Sequence, residues 1–146
     1  MTAEHGATRR RQVYEDGPLR VRFPNTDRSV LEAMLVNTAG GVAGGDRHTL
    51  DIRVEEGAAL TVTTAAAERI YRALGPDAEI AVRLEVGTRG RLCWLPQETI
   101  LFDRARLSRR IEVELAADAA LVMAEAVVFG RAAMGEAVEQ GALTDR

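Results

Sequence analysis

Three segments of the chain share a pattern that limits the fold: an alternating strand, a short polar turn and a second strand led by leucine. They read IRVEEGAALTVTT from Ile52, VRLEVGTRGRLCWL from Val82 and IEVELAADAALVMA from Ile111. Their starts are about 30 residues apart, a period typical of stacked supersecondary units that bury their faces against one another. Three copies are few, and three ordinary hairpins in a sandwich explain them equally well.

Alternation of apolar and polar residues with a period of two dominates the rest of the chain. It is present in residues 19–23, 50–54, 80–86 and 111–115, with turn residues between these runs. Each run is typical of a half-buried strand with one face in the core and one in water. The sequence therefore predicts an all-β fold, either a stack of β coils or a sandwich-like arrangement.

Helix is scarce in this pattern. Residues 65–74 (AAAERIYRAL) and residues 127–136 (VVFGRAAMGE) are the two helical candidates, and Gly130 weakens the second by about 1 kcal/mol. Residues 29–36 are ambiguous because Asp27 would cap a helix there, but their alternation favours a strand. We expect one or two short helices in all.

Composition limits the class of protein. The 146 residues fit one domain, and the net charge of −3 gives no general attraction to nucleic acid or to an anionic membrane. A single cysteine suits a reducing cytoplasm, and no apolar segment has the pattern of a secretory signal or a membrane helix. We predict one cytoplasmic domain over residues 1–146 with a flexible segment at residues 1–16.

The segment NTAGGVAGGDRHTL, residues 37–50, contains the densest glycine run of the chain. Its glycines are Gly40, Gly41, Gly44 and Gly45. A phosphate-binding P-loop needs Lys and then Ser or Thr after its last glycine, whereas Asp46 and Arg47 follow here. The dinucleotide fingerprint G-x-G-x-x-G is also absent. These observations disfavour a nucleotide site, and the glycines then supply positive φ angles or close backbone approach.

Asp46 and His48 raise the alternative of a metal site. Their i, i+2 spacing puts both on one face of a strand, and imidazole with carboxylate suits zinc, nickel or iron. A closed site needs about four protein ligands, while the chain has two histidines and one cysteine. Asp46 is equally able to close the glycine turn by accepting a bond from a backbone amide.

The residues give little support to nucleophilic catalysis. Ser29 and Ser108 are the only serines, and neither lies in a G-x-S-x-G elbow. Cys93, in RLCWL, is typical of a small core residue. Glu98, in LPQETILF, lies among apolar residues and is either a partly buried carboxylate or part of a surface turn. The residues alone thus indicate a strand-rich, non-catalytic domain.

Four segments in order give a more specific indication: GGVAGGDRHTL, LTVTTAAAERIYR, WLPQETILFDRA and EAVVFGRAAMGE with the following GAL. Together they resemble the UreD (also called UreH) family of urease accessory proteins, from about Gly17 to the end of the chain. Members are roughly twice this length, so the chain resembles an N-terminal half. Thr38–Ala39, Ala65 and Arg69 depart from the family pattern.

The resemblance implies a non-enzymatic role in maturation of the nickel enzyme urease. The family binds the urease apoprotein and the UreF and UreG accessory proteins, has an all-β, helix-like fold, and conducts nickel along an internal passage. It therefore favours stacked coils, with no tightly bound cofactor and only transient nickel. Carried onto matching residues, it suggests Asp46, Glu98 and Glu125 as nickel contacts, with Tyr71 and His48 facing a partner or the passage.

Two alternatives to this function stay open at the level of sequence. One is a non-functional truncated fragment, since half of a coil stack would expose an unpaired face and strand edges. The other is a small binding or catalytic domain built on the glycine loop.

Overall fold

In the computed structural model, which describes residues 1–4, 7–25 and 30–146, the chain is all-β. The described strands are β1 (Thr2–Glu4), β2 (Ala7–Arg9), β3 (Leu19–Arg22), β4 (Leu31–Asn37), β5 (Arg47–Val54), β6 (Ala59–Thr64), β7 (Glu68–Ile70), β8 (Ala78–Val86), β9 (Arg91–Trp94), β10 (Thr99–Leu101), β11 (Arg106–Leu115), β12 (Ala120–Met123), β13 (Val127–Phe129) and β14 (Ala142–Asp145). No described helix is long and apolar enough to cross a membrane.

Successive coils of three strands stack in parallel to form a solenoid. The coils are β5–β6–β7, β8–β9–β10 and β11–β12–β13, and each strand pairs with its counterpart one coil on. Sheet I has the order β12-β9-β6-β4-β3, sheet II the order β14-β11-β8-β5, and sheet III the order β13-β10-β7. The prediction of stacked β coils is confirmed. The sandwich alternative is wrong because every pair between coils is parallel, and among the described strands of the three sheets only β3 and β4 pair antiparallel.

The repeat noticed in the sequence sets the register between coils. Leu31, Leu60, Leu92 and Leu121 occupy one position of sheet I in successive strands. Such columns form an apolar cluster between sheets I and II, and a second, smaller cluster lies by sheet III around Ile70. Each coil therefore buries its inward face against the next, as the leucine-led pattern predicts.

The predicted helices differ from what the structure contains. The helix predicted over residues 65–74 is wrong, since Glu68–Ile70 form β7. Parallel pairing with β10 and burial of Ile70 outweigh the helical propensity of its alanines. The helix predicted over residues 127–136 is also wrong, since Val127–Phe129 form β13 and only a 3₁₀ turn at Ala132–Met134 is helical. The strand favoured for residues 29–36 is confirmed as β4, although Asp27 and Ser29 lie outside the described residues.

The amino terminus forms an antiparallel hairpin, β1–β2, against the first coil. The Met1 ammonium donates to the carbonyl of Arg53 over 2.7 Å, and the amide of Ala59 donates to Thr8 Oγ1 over 2.7 Å. Of the segment predicted to be flexible, residues 1–16, His5 and Gly6 lie outside the described part. Its flexibility stays a prediction.

Candidate functional site

The four segments that carry the family resemblance meet along one edge of the solenoid. The hydroxyl of Tyr71 donates to the carbonyl of Gly40 over 2.9 Å. The ring of Tyr71 packs edge-on against Phe102, with centroids 5.2 Å apart, and the Arg131 guanidinium lies 4.1 Å from the Phe102 centroid. We call Tyr71, Phe102 and Arg131 the corner stack. Its residues follow β7, β10 and β13, so the corner stack connects the glycine loop to the ends of the sheet III strands in successive coils.

Each glycine of the loop meets a separate steric demand. Gly40 and Gly45 have φ angles of 78° and 88°, in the region that favours glycine. A β-carbon at Gly41 would lie 2.4 Å from the Tyr71 ring. One at Gly44 would lie 2.8 Å from the carbonyl oxygen of Pro76. The glycine loop is therefore a tight turn that packs against Tyr71 and against residues 73–76 of the same coil.

Asp46 closes this turn with its side chain. Its Oδ2 accepts a hydrogen bond from the amide of Ala43 over 2.8 Å, while its backbone carbonyl accepts from Glu79 over 2.8 Å. The residue is exposed, so one carboxylate face remains open to solvent. The turn-closing alternative raised from the sequence is therefore the contact that the structure contains.

His48 points into the solenoid from β5. It is buried and occupies the same register position as Ile80 on β8, Arg109 on β11 and Asp145 on β14. Burial lowers the pKa of His48, and the charge of nearby Asp46 opposes this. His48 is therefore the first member of an inward-facing column that is polar at three of its four positions.

Glu125 belongs to a buried ion network in the third coil. One carboxylate oxygen accepts from the Trp94 indole Nε1 over 2.8 Å, and the other lies 3.0 Å from Arg109 Nη2. Arg109 also donates through Nε to Asp145 over 3.1 Å. The side chains of Arg109 and Glu125 are only 9% and 14% exposed. Burial opposes the charge of Arg109, but the hydrogen bond to Asp145 and the charge of Glu125 raise its pKa.

Glu68 is a functional candidate that the sequence reading missed. It is partly buried and accepts a hydrogen bond from Asn37 Nδ2 over 3.0 Å. Burial raises the pKa of Glu68, and the bond from Asn37 opposes this shift. The signal was its period-two spacing from the apolar Ile70, as Arg109 is spaced from Leu107. For Glu68 and for Arg109, the signal was a charged residue at an inward position of an alternating strand.

Glu98 and Glu125 are brought to the same corner of neighbouring coils. Thr99, next to Glu98, donates through its amide to the carbonyl of Ala126, next to Glu125, over 2.9 Å. Glu98 is partly buried, and its own carbonyl accepts from the Glu68 amide over 2.9 Å. Asp46 is not part of this corner. Within the described part of the chain, no three His, Cys, Asp or Glu side chains lie close enough to hold a metal ion.

A polar seam lies between the two apolar clusters inside the solenoid, where Ile80 packs against both. On sheet II it lies at the register of Ile80, between Ala78 in the smaller cluster and Val82 in the larger. We define the polar seam as Asn37, His48, Glu68, Thr99, Arg109, Glu125 and Asp145. Its members come from successive coils, so it runs along the solenoid axis.

Comparison with known proteins decides the family. The family model described as UreD urease accessory protein matches residues 1–146. The chain belongs to the UreD family. It is 58% identical to the urease accessory protein UreD of Rhodopseudomonas palustris (strain HaA2), over 99% of this chain and 52% of that protein. It is 56% identical to that of Bradyrhizobium diazoefficiens, over the same shares.

A third relative, urease accessory protein UreD 1 of Bradyrhizobium sp. (strain ORS 278), is 51% identical over 98% of this chain and 51% of its own length. The chain thus spans about half the length of the curated relatives it matches.

Proposed function

We propose that this chain is a non-enzymatic scaffold for urease maturation, which binds the urease apoprotein and the UreF and UreG accessory proteins and helps deliver nickel to the urease active site. Family membership supports the maturation role, since the relatives are named urease accessory proteins. The single cysteine suits action in the cytoplasm.

The polar seam is the observation that supports nickel delivery. Imidazole and carboxylate groups bind nickel, and such groups are present in the first coil, at His48 and Glu68, and in the third coil, at Glu125. Around Arg109, two carboxylates face one guanidinium, which leaves one negative charge in excess. A negatively charged seam attracts a divalent cation, while Arg109 competes for the carboxylates and weakens chelation. Nickel here is cargo, to be passed on.

The proposed nickel route extends beyond the polar seam to the exposed Asp46 and the partly buried Glu98. Asp46 lies two residues before His48, and its charge acts on that imidazole. We propose Asp46 as an entry contact and Glu98 as a contact near Glu125, with Tyr71 holding the glycine loop in place for a partner.

Affinity capture tests the scaffold role. The tagged chain is co-expressed with UreF, then with UreF and UreG together, and finally with the urease apoprotein; we expect co-purification in each case. If none of the three proteins is retained, the scaffold role is contradicted.

Nickel delivery needs a separate measurement. Urease is matured in cells in which the chain replaces the resident UreD protein, and nickel per urease active site is measured by mass spectrometry. We expect Glu68→Gln and Glu125→Gln to lower nickel content several-fold, while Glu112→Gln, on an exposed outer position, leaves it unchanged. Equal nickel content in all three variants would exclude the seam as the route.

A further inference from the structure

The two large sheets present outer faces of opposite character. On sheet II, charges pair across neighbouring strands: Arg53 with Glu85 over 2.7 Å, and Arg83 with Glu114 over 2.6 Å. Exposed pairs of this kind are well solvated and neutralise one another. The outer face of sheet II is therefore well suited to contact with water.

The outer face of sheet I has an uncharged centre. Outward positions are those that alternate with the buried Leu60 and Val62 on β6 and with Leu92 and Trp94 on β9. Two cross-strand rows result. They are Glu32, Thr61, Cys93 and Val122 in the first, and Met34, Thr63 and Leu95 in the second. We call Met34, Thr61, Thr63, Cys93, Leu95 and Val122 the uncharged face. Val122 and Leu95 are 57% and 39% exposed.

Arginine lies around this face. Arg20 and Arg22 flank it on β3, where their guanidinium groups donate to backbone carbonyls. Arg91, on β9, is exposed and makes no ion pair within the described ranges. Arg22 also lies 3.6 Å from Glu15 Oε1. Against these three cations stand two carboxylates, Glu15 and Glu32, so the rim keeps an excess of one positive charge although the whole chain has a net charge of −3.

A charge-depleted centre containing Met, surrounded by Arg, is the composition of a protein interface. We propose that the uncharged face is a docking surface for a folded protein partner that presents a flat apolar patch with an acidic rim. The cationic rim is the reason for an acidic partner. This inference rests on the proposed scaffold role and says which surface performs it.

Cys93 offers a direct test because it is the only cysteine and lies in the centre of the uncharged face. The rate of alkylation of its thiol by a maleimide is measured for the 146-residue chain alone and with the urease apoprotein, UreF or UreG at saturating concentration. We expect at least one of the three to slow alkylation about tenfold, as burial of a thiol in an interface would. Unchanged alkylation by every protein that binds the chain would overturn the assignment.

Variants distinguish contact at this face from a remote effect. Thr63→Glu puts a charge in the centre and Arg91→Glu reverses a rim charge; we expect each to weaken binding about tenfold or more. Ala81→Glu, on the outer face of sheet II, is the matched control and should bind normally. Circular dichroism and thermal melting check that the variants fold, and Arg91→Glu decides the question if Thr63→Glu does not fold.

The outcomes separate this inference from the proposed function. Binding that survives Thr63→Glu in a folded chain would overturn the docking surface and leave the scaffold role intact. Failure of the unmodified chain to bind any of the three proteins would contradict both. If sedimentation instead shows that the chain pairs with itself, and Arg91→Glu abolishes that pairing, the occupant is a second copy and the acidic partner is wrong.

Discussion

Gly41 and Tyr71 are packed so closely that the glycine has no room for a side chain. A β-carbon on Gly41 would lie 2.4 Å from Cε2 of Tyr71 and 2.8 Å from the carbonyl oxygen of Arg69. The amide of Tyr71 in turn donates to Val42, the residue after Gly41, over 2.9 Å. Two sequence motifs 30 positions apart therefore behave as one packed unit.

Substitution of Gly41 by alanine should destabilise the chain. The added methyl group has to displace both an aromatic ring and a backbone carbonyl, so we expect a loss of about 1–3 kcal/mol in the free energy of unfolding. Gly75→Ala is the matched control, since nothing lies within 4 Å of its β-carbon position and its φ is not positive. Urea denaturation of both variants measures the difference. Equal stability of the two would contradict the packing described here.

Asp46 permits a test of its structural contact apart from any metal role. Asp46→Ala removes the acceptor of the Ala43 amide and should lower stability by about 1 kcal/mol. Asp46→Asn keeps an acceptor in place and should cost less. Urea denaturation without metal measures the turn contact, and titration calorimetry with nickel measures the metal role. A larger loss of stability for Asn than for Ala would contradict the turn-closing role.

The coil repeat could be recognised in the sequence because the first strand of each coil alternates apolar and polar residues and the second strand of each coil has leucine as its second residue. The helix predicted around Arg69 failed because short alanine-rich segments have no stability of their own, and parallel pairing of β7 with β10 decides their conformation. Local propensity contains no information about that non-local partner.

Site residues were predictable to different degrees. Asp46 and His48 could be predicted because they follow a glycine-rich loop, whereas Glu68 and Arg109 were missed although both are charged residues at inward positions of alternating strands. Their partners, Asn37 and Asp145, lie more than 30 positions away, so the sequence gives no sign that these charges are satisfied. An inward-facing charge in an alternating strand is the signal to seek in such folds.

Loss of the Glu125 carboxylate should leave two buried donors short of a partner. Glu125→Ala removes the acceptor of the Trp94 indole and one of the two carboxylates at Arg109, so we expect a loss of about 2 kcal/mol. Glu112→Ala, which removes an exposed partner of Arg110, should cost less than about 0.5 kcal/mol.

The single tryptophan gives a second readout of this network. Its fluorescence should change in Glu125→Ala and remain unchanged in Glu112→Ala, because only the first substitution frees the indole N–H. A Glu125→Ala chain with the stability and emission of the unmodified chain would show that the network contributes nothing.

His48 should make the chain less stable in mild acid. Burial lowers its pKa in the folded state, so between that lowered pKa and the unfolded value of 6.5 the unfolded chain binds more protons. The free energy of unfolding therefore rises as pH rises through this window, and the same increment is lost as pH falls through it. His48→Gln cannot be protonated and should flatten this dependence. Urea denaturation at about pH 5 and about pH 7.5 measures the difference for each chain. An equal difference for the variant and the unmodified chain would assign the pH dependence to other groups.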